Sequence, residues 1–449
     1  MDNVLKLVQT AFFIGFLMTS PALAADLQVL HAFNGADGAW SRGSLTLGGS
    51  TLYGRTSLGG VANRGTIFSI GTDGTGFASL YSFSDGGSNG TGNMPHHNAM
   101  TLVGSTLYGA ALYGGNENNP QPASSPGPTP PPSYPKEGNG TAFSIQTDGT
   151  GYTVLHAFNG PTADGALAHS PFTLIGSTAY GMTSNGGANN DGSLYSFALS
   201  DPAGTYVVEK NFQASTGKEP HGMVIADSTG SKLLGMTRKG GANDVGVIFD
   251  FDPVTDSYSV LHEFESVATN GATNDHGFLT RINQTVFGLT SGGGAYGEGV
   301  LFSMTEAGED FSLLHSFGDG SDGEEPYGSL TLLNNTFYGT TSRGGANGVG
   351  TIFSIQTDGS GYSLLASFDT ATTGGLPEDF LTANASGTML YGLTQNGGGY
   401  DTAGNLYYGT VFAIAIPEPS VAVMLILAAF GGIVARVRNF RQTERSRVI

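Results

Sequence analysis

The sequence predicts an all-β fold, a seven-bladed β-propeller of four-stranded blades. Three observations predict it. A pattern about fifty residues long recurs seven times, the mark of a propeller or solenoid. Each copy holds four short alternating runs separated by glycine turns. After a leader, the chain opens on a run of the fourth-strand type and closes on one of the third-strand type. The N-terminal strand can therefore complete the last blade, which removes two open sheet edges.

The repeat has four parts. A Leu-Tyr-Gly-like triplet centres on Tyr53, Tyr108, Tyr180, Leu234, Phe287, Tyr338 and Tyr391. A Gly-Gly step follows at Gly59, Gly114, Gly186, Gly240, Gly292, Gly344 and Gly397. An apolar run then centres on Phe68, Phe143, Tyr195, Phe249, Phe302, Phe353 and Phe412, and an "LHSF"-like run ends the copy. In the sixth copy the strands are expected at Gly328 to Leu333, Thr336 to Thr341, Thr351 to Ile355 and Tyr362 to Phe368. Asp358-Gly359 turns the last hairpin, because glycine supplies the positive φ such turns need. The same turn recurs at Asp73-Gly74 and Asp148-Gly149. Leu27 to Phe33 is the closing strand, and Gly409 to Ile414 is its partner. Residues 116–138 are a Pro-rich insertion between the second and third strands of blade 2, read as a surface loop. An open β-solenoid is the alternative architecture.

The two ends read as addresses. Residues 1–24 have the form of a secretory signal. Lys6 precedes the apolar run Ala11 to Met18, and Ala22-Leu23-Ala24 is a small-x-small cleavage site that starts the mature chain at Ala25. The propeller then occupies residues 25–415. At the other end Pro417-Glu418-Pro419-Ser420 precedes the apolar run Val421 to Ala435, followed by Arg436, Arg438 and Arg441. A fifteen-residue helix rises roughly 22 Å, somewhat short of a roughly 30 Å hydrocarbon core, so it spans with the flanking Ile-Pro side or with snorkelling arginines. Residues 417–441 are the sorting or anchor segment, and 442–449 a basic tail on the cytoplasmic side.

The order of Pro-Glu-Pro, apolar helix and arginine cluster resembles the PEP-CTERM sorting signal. That resemblance implies a Gram-negative bacterium and an exosortase as partner, with cleavage near Pro417 to Ser420. Delivery to the envelope or an exopolysaccharide matrix would follow. A plain membrane anchor is the alternative, and both readings place the repeats outside the cytoplasm. Over roughly residues 26–415 the Leu-Tyr-Gly, Gly-Gly and Gly-Thr-Ile-Phe-Ser-Ile elements resemble the choice-of-anchor tripartite repeat family. This implies an extracellular surface protein and brings no activity with it. Kelch and WD40 blades usually carry a tryptophan each; this chain has one, Trp40.

Composition narrows the function classes. There is no cysteine, which excludes disulfides, thiolate zinc sites and cysteine nucleophiles. A net charge of -19 argues against nucleic-acid partners. Glycine, at 72 residues, lacks a collagen triplet and so serves turns.

Eight of the nine histidines fall in two columns of the repeat. Counted back from the first strand, one column reads Arg42, His97, His169, His221, His276, Tyr327 and Glu378. With the first strand innermost, it rings the mouth of the axis. Its histidines suit a transition metal, an anion or a sugar. The plainer reading is that each caps a strand end, since blades are expected to hold equivalent side chains too far apart for one ion. The second column, His31, Tyr81, His156, Lys210, His262, His315 and Ala366, lies on the fourth strand and reads as packing. The acidic turns at Phe33 to Gly38, "FSDGG" after Phe83, and Phe317 to Glu325 offer oxygens for Ca²⁺ without a complete loop motif. No nucleophile elbow, P-loop or HExxH is present.

The sequence thus points to an exported, non-enzymatic matrix or envelope protein. Its propeller face would bind a glycan, an envelope component or a protein. A polysaccharide hydrolase or lyase at the axis, and a structural spacer, are the alternatives.

Overall fold

The computed structural model describes residues 26–84, 91–97, 99–115, 138–169, 171–265, 267–272, 277–397 and 408–416. The signal segment with Ala22, Ala24 and Ala25, the Pro-rich run 116–137, His276 and everything from Pro417 onward lie outside the described residues. Among the described residues no helix is long and apolar enough to cross a membrane.

Seven antiparallel sheets of four strands form the blades, and in blade 3 the entering segment Ala166–Ala168 adds a fifth. Blade 6 is representative, with strands Thr331–Leu333, Thr336–Thr341, Thr351–Gln356 and Ser363–Ser367. Blade 7 joins Thr382–Ala383, Met389–Thr394 and Thr410–Ala415 to the N-terminal Leu27–Ala32. Leu27 pairs with Ile414 and Ala32 with Thr410, so the expected closure is present. Blade 3 departs from the pattern with one helical turn, Pro202–Thr205, capped by the Asp201 side chain.

The repeat motif follows from one contact made in every blade. The triplet glycine of the second strand is the cross-strand partner of the third-strand aromatic: Gly54 faces Phe68 and Gly339 faces Phe353. The ring lies over the glycine. A Cβ there would stand 2.3–2.7 Å from the ring in all seven blades. The fourth-strand Phe of each blade then meets the ring of the next blade. Phe33–Phe68, Phe83–Phe143, Phe158–Tyr195, Phe212–Phe249, Phe264–Phe302, Phe317–Phe353 and Phe368–Phe412 lie 5.0–5.7 Å apart at steep angles. Each such pair contributes about 0.5–1.5 kcal/mol beyond its area burial. The core is therefore a closed belt between blades, and Phe33 completes it.

Two further belts run parallel to this one. On the inside, a first-strand threonine donates to a carbonyl of the next blade: Thr46 to Met100, Thr101 to Phe172, Thr173 to Val224, Thr280 to Leu330, Thr331 to Leu381 and Thr382 to Leu45. Blade 4 has Ile225 in that place and skips the bond. First strands of neighbouring blades touch one another, so the first strand is innermost, as expected.

On the outside lies the second histidine column. Five of its seven members stack on an aromatic ring of the next blade: His31 on Phe77, Tyr81 on Tyr152, His156 on Tyr206, His262 on Phe311 and His315 on Tyr362. Lys210 lies 4.7 Å over the Tyr258 ring. The imidazoles also bond the following turn, His31 to Asp37, His156 to Asp164, His262 to Asn270 and His315 to Asp322. The column packs blades together, as its half-buried reading anticipated.

These pairs make acid stability testable. Burial alone would raise Asp164. Hydrogen bonds from His156 and Asn159 outweigh burial and hold its carboxyl below the ordinary 3.8. A lowered folded value means the stabilisation is complete above the ordinary range and is lost as pH falls through the lower value. Unfolding midpoints should therefore drop below about pH 4, and Asp164→Asn should flatten that limb. An equally steep acid limb in the variant would contradict the assignment.

Candidate functional site at the mouth of the axis

Among the described residues the mouth is built by a turn shared by six of the blades. The segment entering each blade pairs briefly with the residues around the Gly-Gly step, as in Ala39 with Leu58, Ala166 with Asn185, Lys218 with Lys239 and Gly375 with Asn396. The step must be glycine because backbone lies against it. A Cβ on Gly59 would stand 2.5 Å from the Gly38 carbonyl carbon. From this pairing the chain swings inward through a residue of positive φ: Trp40, Met94, Leu167, Glu219, Glu325 and Leu376, at 52–60°. Such a conformation is strained in a non-glycine residue. Two residues later comes the side chain at the mouth.

That rule corrects one member of the ring. Two residues after Met94 is His96, not His97. Blade 2 has one extra residue before its first strand, so counting back from the strand selects the wrong histidine. His96 Nε2 lies 3.0 Å from Arg42 Nη1, in the ring. His97 is buried, with φ 42°, and its carbonyl accepts a 2.6 Å bond from Arg55.

The ring is continuous across four joints. Glu378 of blade 7 meets Arg42 of blade 1 in a two-point ion pair, Oε2 to Nε at 2.7 Å and Oε1 to Nη2 at 2.9 Å. Arg42 lies 4.7 Å over Trp40, and the Gln395 amide is placed to bridge Trp40 Nε1 and Glu378. Because a guanidinium only donates, His96 Nε2 accepts from Arg42 and carries no proton there. His96 is 5.8 Å from His169, ring to ring, and His169 stacks on His221 at 4.4 Å and 15°. In this sector equivalent side chains of neighbouring blades thus approach ring to ring. The turns converge on the axis, and the long side chains close the remaining gap. On the far side Tyr327 donates to Glu325, which also meets Arg343. Phe278 and Phe380, at the entry to the first strands of blades 5 and 7, pack edge to face at 5.2 Å.

Charge in the ring is arranged sector by sector. Glu219 is held by Arg238 and Lys239, and Lys218 by Asp244. Burial first, and then the neighbouring His221, Arg238 and Arg42, push His169 well below the ordinary imidazole range, so it is neutral at pH 7. Beneath the ring sits a residue the repeat pattern hides. Arg55 is fully buried in a second strand, where it donates to the carbonyls of Ala110 and His97 and so joins blades 1 and 2. Burial pushes its guanidinium down to about 10 against the opposing pull of Asp379, which leaves it charged at neutral pH. Only its polarity amid apolar second-strand neighbours such as Met182, Leu289 and Leu393 marks it in the sequence.

Among the described residues no three of His, Asp and Glu converge to hold a metal ion. The acidic turns use their oxygens locally. Asp37 accepts from Asn34 and His31, and Asp322 from the Gly318 and Asp319 amides and from His315. The turn after Phe83 lies outside the described residues from Asp85.

Fold and mouth together define a seven-bladed propeller repeat protein. The chain belongs to the Gloeobacter/Verrucomicrobia repeat family, whose model matches residues 133–294 and 276–433. Among solved structures it is similar to an oligogalacturonate lyase in complex with manganese, at 10% identity and a TM-score of 0.52, over 89% of this chain and 95% of that one. It is also similar to the extracellular domain of a hybrid two-component system from B. thetaiotaomicron, at 13% identity and a TM-score of 0.48, over 86% of this chain and 39% of that one. TolB from Acinetobacter baumannii matches at 14% identity and a TM-score of 0.38, over 62% of this chain and 60% of TolB. These likenesses bear on fold alone. No curated protein matches the chain.

Proposed function

We propose that this chain is an exported binding protein of the cell envelope or extracellular matrix, whose mouth face engages a glycan without cleaving it. One observation carries the reading: the mouth carboxylates are held by cations. Glu378 is held by Arg42, Glu219 by Arg238 and Lys239, and Glu325 by Arg343. A glycan-cleaving pair needs one carboxyl kept protonated and another left ready to act. Ion-paired carboxylates beside imidazoles instead offer fixed donors and acceptors to a polar ligand.

The ends of the sequence support the placement. Residues 1–24 serve as the export signal. Pro417, Glu418, Pro419 and Ser420, the apolar run and Arg436 and Arg438 serve as a PEP-CTERM signal. The apolar run Val421 to Ala435 holds the protein at the inner membrane of a Gram-negative cell until an exosortase acts.

Melting of the full chain with the host's own exopolysaccharide tests the reading. A ligand that prefers the folded state raises the midpoint by mass action, about 2.7 kcal/mol at a hundred times Kd. The expected result is a saturable rise, no new reducing ends, and loss of the rise in the double variant His169→Ala/His221→Ala. Fragmentation of the polymer would transfer the site to a hydrolase or lyase. An undiminished rise in the variant would remove the histidines from the site.

A further inference from the structure

Within each blade the chain reverses at the end opposite the mouth, between its first and second strands and between its third and fourth. Both ends of the propeller leave from this hairpin end, and from one blade. Leu27, where the closing strand begins, is the cross-strand partner of Ile414, where the last strand nears its end. The Ile416 amide then donates to the Thr388 carbonyl, in the first hairpin of blade 7. The chain is therefore fixed to the hairpin end as it leaves the fold.

The flanking sequence limits which end can meet a membrane. Val421, the first residue of the apolar run, follows Ile416 by five residues. Their reach is at most about 18 Å at full extension. The propeller is taller, because the second strand Met389–Thr394 alone rises about 20 Å before the mouth turn begins. The tether is too short to pass around the blade and bring the mouth to the bilayer. The signal run leads to the same place, since Ala24 precedes Leu27 by three residues.

The hairpin end is also the acidic end. The turns between third and fourth strands of blades 1 to 6 carry Asp73, Asp148, Asp201, Asp252, Glu309 and Asp358. Hydrogen bonds made within the turn hold Asp73, Asp148, Asp252 and Asp358 below the ordinary carboxylate value, so they are charged at neutral pH. Among the described residues the cations of this end are Lys232 and Arg281, paired with Asp250 and Glu306. The mouth end holds Arg42, Lys218, Arg238, Lys239 and Arg343. An anionic lipid surface is thus repelled by the end that the tether brings nearest to it.

We propose that in the membrane-anchored chain the hairpin end faces the bilayer, held by the tether and not by adsorption to lipid, and that the mouth points away from the membrane. The proposal rests on the reading that Val421 to Ala435 is a membrane anchor.

Energy transfer to the bilayer tests the orientation. The chain has no cysteine, so one dye can be placed at one chosen position. Val61 is 96% exposed in the mouth-end loop after Gly59-Gly60, and Ala385 is exposed in the first hairpin of blade 7. Full-length Val61→Cys and Ala385→Cys, each carrying a donor dye, are reconstituted into phosphatidylcholine vesicles that contain an acceptor-labelled lipid. Both should float with the vesicles, and transfer from position 385 should exceed that from position 61 by at least about threefold. Replacing about a third of the lipid with phosphatidylserine should leave transfer from position 385 unchanged or weaker. Equal transfer from the two positions, or stronger transfer from position 61, would overturn the orientation and leave the anchor standing. Stronger transfer from position 385 on the anionic vesicles would overturn contact by the tether alone. Chain left behind on flotation would overturn the anchor, and the orientation with it.

Discussion

Alanine at Gly339 should destabilise the propeller by about 1–3 kcal/mol, the usual cost of overpacking a filled core. The new methyl would stand 2.5 Å from Phe353 Cζ. Phe353 has no room to retreat, because Phe317 of blade 5 lies edge-on at 5.1 Å and Tyr362 stacks at 5.7 Å. Gly339 is not among the left-handed glycines, so the penalty is steric and not conformational. This fixes the sign of the test. A glycine kept only for flexibility would become more stable as alanine, since a strand glycine loses about 0.5–1 kcal/mol to chain entropy. Denaturant midpoints of Gly339→Ala and of Gly339→Ala/Phe353→Leu decide between the accounts. The smaller side chain should recover part of the loss. A stable single variant, or no recovery in the double one, would refute the ring-over-glycine contact.

Deleting residues 26–33 should cost more. The deletion removes the fourth strand of blade 7, exposes the edge of Thr410–Ala415, and strips Phe33 from Phe68 and His31 from Phe77. Burial of a phenylalanine alone is worth about 1.5–3 kcal/mol, so a loss above about 3 kcal/mol is expected. Cooperativity should fall as well, because the phenylalanine belt is then open. Reinserting the same eight residues directly after Ile416 should restore a single sharp transition, since blade 7 is then complete within one stretch of chain. A truncated chain that melts like the intact one would show that closure contributes little.

The Gly-Phe pairing explains why the fold was legible. It recurs in each copy with fixed partners, so the triplet and the apolar run appear as a period. The closing strand was legible because Leu27 to Phe33 ends in the same Phe as every other fourth strand. What the sequence concealed lies between blades. Thr46, Thr101 and Thr173 look like ordinary strand residues, and their inner belt exists only once neighbouring first strands touch. The stacking partners of the second histidine column are separated from it by roughly a repeat length. At the mouth the described members of the column stand where the sequence set them except in blade 2, where one extra residue exchanged His96 for His97; His276 lies outside the described residues. The contact between His169 and His221 was invisible, because it depends on how steeply the turns converge. Arg55 follows no periodicity, so only its burial identifies it.

The wrap-around pairing of Leu27–Ala32 with Thr410–Ala415 also has a consequence in time. Blades 1 to 6 each draw their strands from one continuous stretch and can form in order as the chain lengthens. The first strand to emerge must wait, unpaired, for almost the last. Loop closure over such a span is entropically late, so the final blade sets the pace of folding. Until it forms, the nascent chain holds open edges at both ends and remains a substrate for any partner that captures an unfinished sheet. Pairing of these two strands is thus the event that turns six stacked sheets into a ring.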